Sequence, residues 1–235
     1  MRLPAPLLDG VLVERENRFR ARVRLENSDV LAHVPNPGRT VELLYPGARV
    51  LLTPRPEPGR RTAYDLILAY TAENLLVSLD TRLPSRLFAE AMAAGRIAPL
   101  ADYRVARAET RFGSSRLDFA LTPRDDAPPT LPPGLVEVKS STYVVNGLGL
   151  WPDAPSLRGQ RHVRELADAV AQGYRAAVVW FVQRPDARCL TPNRAVDGRF
   201  GAALDAARAA GVEAYAYTCR VTRDSVEVAD LIPVI

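Results

Sequence analysis

Apolar and polar positions along this chain follow two different rhythms, one before and one after residue 80. Before it, short runs with β-like alternation fall at 8–13, 19–25, 30–34, 49–53 and 64–69. Turn-forming clusters separate them: Pro35-Asn36-Pro37-Gly38, Pro46-Gly47 and the proline-glycine stretch 54–59. Five strands in so short a span predict a small barrel, and the five-stranded Greek-key barrel of the OB type fits best. After Asp80-Thr81 the period lengthens. Residues 84–95 read as a helix with Pro84 near its start and Gly95 at its end. Strands are expected at 102–110 and 115–122, then a loop over 123–133 rich in proline and acid, then a strand at 134–140. A helix over 162–172 carries the apolar stripe Val163, Leu166, Ala167 and Val170. It leads into the apolar run 175–183, which suits a buried central strand, followed by a helix at 200–210 and a strand at 212–221. The expected division is a β-barrel over 1–80 and an α/β domain over 81–235 whose first elements run αβββαβ. No internal repeat is found.

Composition adds limits rather than a function. With 235 residues, 47% hydrophobic and 25% charged, the chain has the makeup of a globular protein with ample core. No apolar run approaches bilayer length, and the start Met1-Arg2-Leu3-Pro4 lacks a basic-then-apolar signal, so a cytoplasmic protein without a membrane partner is expected. Cys189 and Cys219 are far apart without CxxC spacing, which argues against a thiolate zinc site or a disulfide framework. Both are read as core residues. The net charge of +4 and pI near 9.3 favour an anionic partner. Among 31 basic residues the single lysine is Lys139. A coding bias toward arginine converts surface lysines at little cost, so lysine persists best where a compact ammonium is required.

That lysine lies in Glu137-Val138-Lys139. Strand alternation puts Glu137 and Lys139 on one face and Val136 and Val138 on the other. Asp118 sits among apolar neighbours in the preceding strand, and a hairpin brings the two strands together. Two carboxylates can hold a hard divalent cation, Mg2+ or Mn2+, while lysine orients or deprotonates an attacking water and offsets developing charge. The plainer alternative is a cross-strand ion pair beside a surface acid. His162 is expected either to meet a phosphate or a metal-bound water, or to be a partly exposed helix residue paired to Glu165. His33, Asn36 and Arg39 surround a turn. There Arg39 can grip a phosphate or pair with Glu42, while Asn36 and Gly38 have ordinary use as turn formers. Arg158 and Arg161 open a helix whose free N–H groups favour an anion. Phe19, Tyr45 and Tyr64 are candidates for base stacking, with core packing as the alternative.

Asp118, an intervening loop and Glu137-Val138-Lys139 in an αβββαβ order resemble the core of the PD-(D/E)xK nuclease superfamily, although Leu117 stands where that pattern has proline. The resemblance implies a further acid on the first helix near the metal, and Glu90 is the matching residue. Longer strings narrow it: Ala32 to Arg39, Val77 to Thr81, Ser115 to Phe119, Glu137 to Ser140, Pro152 to Pro155 and Arg158 to Leu166 are similar to the sugar fermentation stimulation protein A family. Membership implies an OB-like N-terminal domain, a nuclease-like C-terminal domain and DNA binding, under a name that records bacterial sugar metabolism. The resulting expectation is a DNA-binding protein with a metal-dependent phosphodiesterase site. Asp118, Glu137 and Lys139 would be catalytic, Asp118, Glu137 and Glu90 would hold metal, and Arg39, His33, Asn36, Arg158, Arg161 and His162 would touch nucleic acid. The rival is a non-catalytic DNA-binding regulator that keeps the fold. RNA as substrate and a homodimer stay open.

Overall fold

The computed structural model describes residues 1–26 and 28–235. The N-terminal strands are β1 (Leu8–Asn17), β2 (Arg20–Leu25), β3 (Ser28–His33), β4 (Arg49–Pro54), β5 (Tyr64–Tyr70) and β6 (Leu76–Ser78). They are hydrogen-bonded in the order β3-β2-β1-β4-β5-β6. A parallel pairing of β3 with β5, at Ala32 with Tyr64 and His33 with Asp65, closes the first five strands into an OB-like barrel. Closure removes the free strand edges that would otherwise invite pairing with another chain. Alternate residues Ala21 and Val23, and Val50 and Leu52, fill its interior with Leu12, Leu66 and Leu79.

The α/β domain follows as α1 (Leu83–Ala93), β7 (Tyr103–Phe112), β8 (Ser115–Pro123), β9 (Gly134–Ser141), β10 (Val144–Val145), β11 (Leu148–Trp151), α2 (Leu157–Ala171), β12 (Arg175–Val182), β13 (Cys189–Pro192), α3 (Arg194–Ala209), β14 (Glu213–Val221) and β15 (Val226–Ile232). The main sheet runs β15-β14-β12-β9-β8-β7, and β10, β11 and β13 form a small second sheet. β9, β12 and β14 are parallel, so both faces need cover. On one face α1 packs Leu87 and Phe88 against Phe119, Val136, Val138 and Phe181. On the other, α2 and α3 pack Val163, Leu166, Phe200 and Leu204 against Leu135, Val178 and Trp180. β9 therefore turns its valines to α1 and its odd-numbered side chains to α2, as alternation predicts.

Three features differ from the sequence expectation. α2 begins at Leu157, where Ser156 accepts a hydrogen bond from the Gly159 N–H; the polar stretch Arg158 to Arg161 masked the apolar period there. α3 begins at Arg194 and is kinked at Asp197. β6, β10, β11, β13 and β15 lie outside the expected elements. Most are too short, or too rich in glycine and proline, to announce themselves by period, and their place is set by partners distant in sequence. Cys219 is buried, whereas Cys189 is only half-buried, and both are free thiols. No helix among the described residues is long and apolar enough to cross a membrane.

The barrel and the α/β domain are tied by buried polar contacts. Ser78 donates to Gln183 Oε1 at 2.8 Å, and Gln183 Nε2 donates to Asp80 O and Ser140 Oγ. Gln183 thus joins the end of the barrel to the end of β9, next to Lys139.

Candidate active site

The site forms where two strands separate. Pairing of β8 with β9 ends at Phe119 and Val136. One residue further the Asp118 carboxylate enters the gap, and its Oδ2 accepts the Val138 N–H at 2.7 Å. A backbone donor freed by the fork is thereby satisfied by a side chain. The β7–β8 ribbon then bends toward α2, where Glu165 Oε1 accepts from Ser114 N and Oγ at 3.0 and 2.7 Å and Arg161 Nε donates to Ser115 Oγ at 3.1 Å. α2 in this way fixes the fork that carries Asp118.

Glu137 is 2% exposed and 1% describes His162 beside it. Glu137 Oε1 accepts from Lys139 Nζ and from His162 Nδ1. Arg158 Nε donates to His162 Nε2 at 3.2 Å. Nε2 must then carry the lone pair and Nδ1 the proton, which makes Nδ1–H the donor to Glu137. The 3.3 Å approach of Lys139 Nζ to His162 Nδ1 is consequently two donors sharing one acceptor rather than a hydrogen bond. Lys139 also lies 5.8 Å from the Trp151 ring centroid, within cation–π range.

The electrostatics are uneven. Glu137 Oε2 is buried and has no hydrogen-bond partner. Burial pushes Glu137 up, but the His162 hydrogen bond and the Lys139 charge outweigh it and hold the group below the ordinary carboxylate range. Asp118 is pushed up to about 6, first by burial and then by the charge of Glu137, against the pull of the Val138 N–H. Two close carboxylates with one orphaned oxygen form a hard-oxygen donor set that a divalent cation would complete. Among the described residues no group of three or more His, Cys, Asp or Glu side chains is gathered as metal ligands.

Several expected residues lie elsewhere. Glu90 does not approach the acids: it is on α1, across the sheet, 55% exposed, with Oε2 at 3.2 Å from the Met1 amino group. Its helix turns Leu87, Phe88 and Ala91 inward, which leaves position 90 facing out. Asn36 is buried, donating to Leu79 O at 3.1 Å and accepting from Gly38 N at 2.9 Å, so its amide is occupied in holding a turn and is withdrawn from any nucleic acid. His162 is neither partly exposed nor paired to Glu165, and with both ring nitrogens engaged it has none left for a phosphate. Arg158 and Arg161 are exposed at the start of α2. Arg39 is exposed too, and the expected ion pair to Glu42 does not form among the described residues. His33 is half-exposed and stacks on Phe19 at 6.3 Å. Phe19 and Tyr45 are exposed, whereas Tyr64 packs against the barrel core. The roles of Trp151 and Ser114 escaped the sequence, since no local pattern announces a tertiary neighbour.

Comparison with known proteins shows the family of the chain. The Sugar fermentation stimulation protein RE domain model matches residues 82–225, and the SfsA N-terminal OB domain model matches residues 13–79. The sugar fermentation stimulation protein homolog of Moorella thermoacetica is 47% identical over 233 residues, covering 99% of this chain and 97% of that protein. The homolog of Chloroflexus aggregans is 40% identical over 229 residues, covering 97% and 85%. The structure of Pyrococcus furiosus SfsA in complex with Ca2+ matches with a TM-score of 0.87 at 28% identity, covering 100% of this chain and 98% of that one. The chain belongs to the sugar fermentation stimulation protein family.

Proposed function

We propose that the protein binds DNA and hydrolyses phosphodiester bonds at a divalent-cation site formed by Asp118 and Glu137, with Lys139 as the third catalytic group. The division of labour is a barrel over 1–80 that guides nucleic acid and a domain over 81–235 that holds the chemistry. The observation that carries the reading is Glu137 Oε2, a buried carboxylate oxygen without a donor, beside an Asp118 whose own proton is held up to about 6. The Ca2+ complex of the Pyrococcus furiosus relative adds support, because Ca2+, Mg2+ and Mn2+ all take carboxylate oxygen.

When bound, Mg2+ or Mn2+ would polarise the phosphate and acidify a water. Asp118 has to lose its proton to serve as a ligand. His162, its proton fixed on Nδ1 by Arg158, holds Glu137 in one orientation and leaves Oε2 free. Lys139, tethered to the other oxygen of Glu137, orients the attacking water and offsets negative charge as it builds on the phosphoryl oxygens. The exposed Arg158 and Arg161 offer positive charge to the phosphates that flank the scissile bond.

One observation favours the rival reading of a non-catalytic DNA-binding regulator: Lys139 sits on Glu137 instead of standing free. Labelled DNA and RNA incubated with Mg2+ and with Mn2+ separate the two. Cleavage by the wild-type chain that is lost in Asp118→Asn supports the nuclease. Cleavage unchanged in that variant refutes the assignment, and retained DNA with no product on any substrate supports the regulator.

A further inference from the structure

A second feature lies on the barrel, beside the α/β domain. The β1–β2 turn carries Arg18 and Phe19, and the turn after β3 carries Arg39. One guanidinium joins them: Arg15 donates to Arg18 O at 3.0 Å, to Gly38 O at 2.7 Å, to Asn36 O at 3.1 Å and also to Arg39 O. Thr40 completes the clamp, accepting from Arg15 at 2.8 Å while its backbone sits at φ 42. A β-branched residue resists that left-handed conformation and holds it only where the surroundings dictate it. Arg18 and Arg39 are thus held as neighbours, both exposed, and among the described residues neither guanidinium has a protein acceptor.

These residues form one wall of a groove of about 480 Å3, with Arg15, Asn17, Pro37 and Gly38, and its opposite wall is Ala154 and Pro155 of the α/β domain. That opposite wall is bracketed by residues of the candidate site: Trp151, over Lys139, and Arg158, bonded to His162. The segment 151–158 thus runs from contacts with Lys139, past the groove wall, to a contact with His162. At its barrel rim Phe19 is 51% exposed and stacks on His33 with an interplanar angle of 16°. An exposed aromatic plane next to unpaired arginines meets the needs of unstacked bases on a charged backbone. The groove has the volume of a small-ligand site, and a duplex keeps its bases stacked inside and unavailable to Phe19.

We propose that this groove takes one single strand of nucleic acid, its phosphates on Arg18 and Arg39 and a base on the Phe19–His33 platform. The inference rests on the reading that the partner is nucleic acid, but not on cleavage. Fluorescence anisotropy in EDTA tests it with the full chain and labelled oligothymidylate, oligouridylate and a blunt DNA duplex of equal length. The expected result is single-strand binding about tenfold tighter than duplex binding. Phe19→Ala should weaken single-strand binding about tenfold. Arg18→Ser with Arg39→Ser should lower the salt slope of that binding by about 1.4, the value for two lost single-strand phosphate contacts. Arg18→Lys with Arg39→Lys should keep the slope, since the charge stays. Equal affinity for DNA and RNA strands supports the assignment, as does a preference for either. Duplex binding as tight as single-strand binding, or single-strand binding untouched by Phe19→Ala and by the double serine variant, overturns it. Failure to cleave, with single-strand binding intact, would sink only the nuclease reading.

Discussion

Asp65 and Glu137 are buried to nearly the same degree, 1% and 2% exposed, yet their surroundings are opposite. Asp65, in the barrel, meets three arginines. Arg60 donates to Oδ1 at 2.6 Å, and Arg55 and Arg82 donate to Oδ2 at 3.2 and 3.3 Å. Burial alone would raise its pKa, but Arg60 and the arginines with it hold it below the ordinary range. Both of its oxygens are served, and through Arg82 it ties the barrel to the start of α1. Glu137 has two donors on one oxygen and none on the other, and its neighbour Asp118 is pushed up to about 6. A buried acid that is fully met by cations reads as a structural clamp. On the proposed function, the bare oxygen of Glu137 beside Asp118 is a place for a charge that the protein itself does not supply.

The sharpest way to break this contrast is to neutralise one acid of each cluster. On the proposed reading, Glu137→Gln lowers the cleavage rate by a factor on the order of 10^3 or more, because it removes a ligand and the partner of Lys139 together. Loss of product in a gel assay under excess Mg2+ checks it, and a rate within tenfold of wild type would reduce Glu137 to a structural acid. Asp65→Asn acts on the other side of the comparison. It weakens charge-assisted hydrogen bonds to partly exposed arginines, one of which, Arg82, keeps Asp80, and is expected to cost about 1–3 kcal/mol of stability by denaturant unfolding. Cleavage per folded molecule should be unchanged.

Protonation separates the two acids by sign. Asp118 has a folded pKa of about 6 against an ordinary 3.8, so its contribution favours the folded state below about 4 and is lost as pH rises through about 6. That gap corresponds to roughly 3 kcal/mol at most. Without divalent cation, Asp118→Asn should therefore melt at a higher temperature than wild type at neutral pH, with the gap closing toward pH 4. Added Mg2+ or Mn2+ should stabilise wild type but not the variant. Asp65, whose pKa is lowered, contributes stability above its unfolded pKa and loses it only as pH falls further. A wild-type chain that gains nothing from acidification or from cation would show that Asp118 sits in no such environment.

The smallest expected effect concerns the histidine. His162→Gln keeps a donor of similar reach, whereas His162→Ala frees Glu137 to turn. The alanine variant should weaken cation affinity by about 10–100-fold, read by calorimetric titration, and the glutamine variant by less. Equal affinities in both would place His162 in packing alone.

Much of this was legible in the order of residues. Alternation in 134–141 sends Val136 and Val138 to one layer and Glu137 to the other, and the structure keeps that division. The lone lysine among 31 basic residues marked its own strand. Glu90 misled because a family pattern specifies an acid on the first helix without specifying which face of that helix it occupies. His162 misled for a related reason: spacing shows that residues 162 and 165 share a helix face, but not that a strand carrying Glu137 lies against it.

Residue order by itself was enough for a barrel followed by an α/β domain, for the face on which Glu137 and Lys139 stand, and for the basic, arginine-dominated character of the surface. Hydrophobic period and side-chain type are local properties, and they survive in a one-dimensional text. The fork at Asp118, the proton on His162 Nδ1, the bare oxygen of Glu137 and the pairing of Arg18 with Arg39 through Arg15 were settled by folding. Each depends on hydrogen-bond geometry or desolvation between residues far apart in the chain, and such terms exist only once those segments share a place in space.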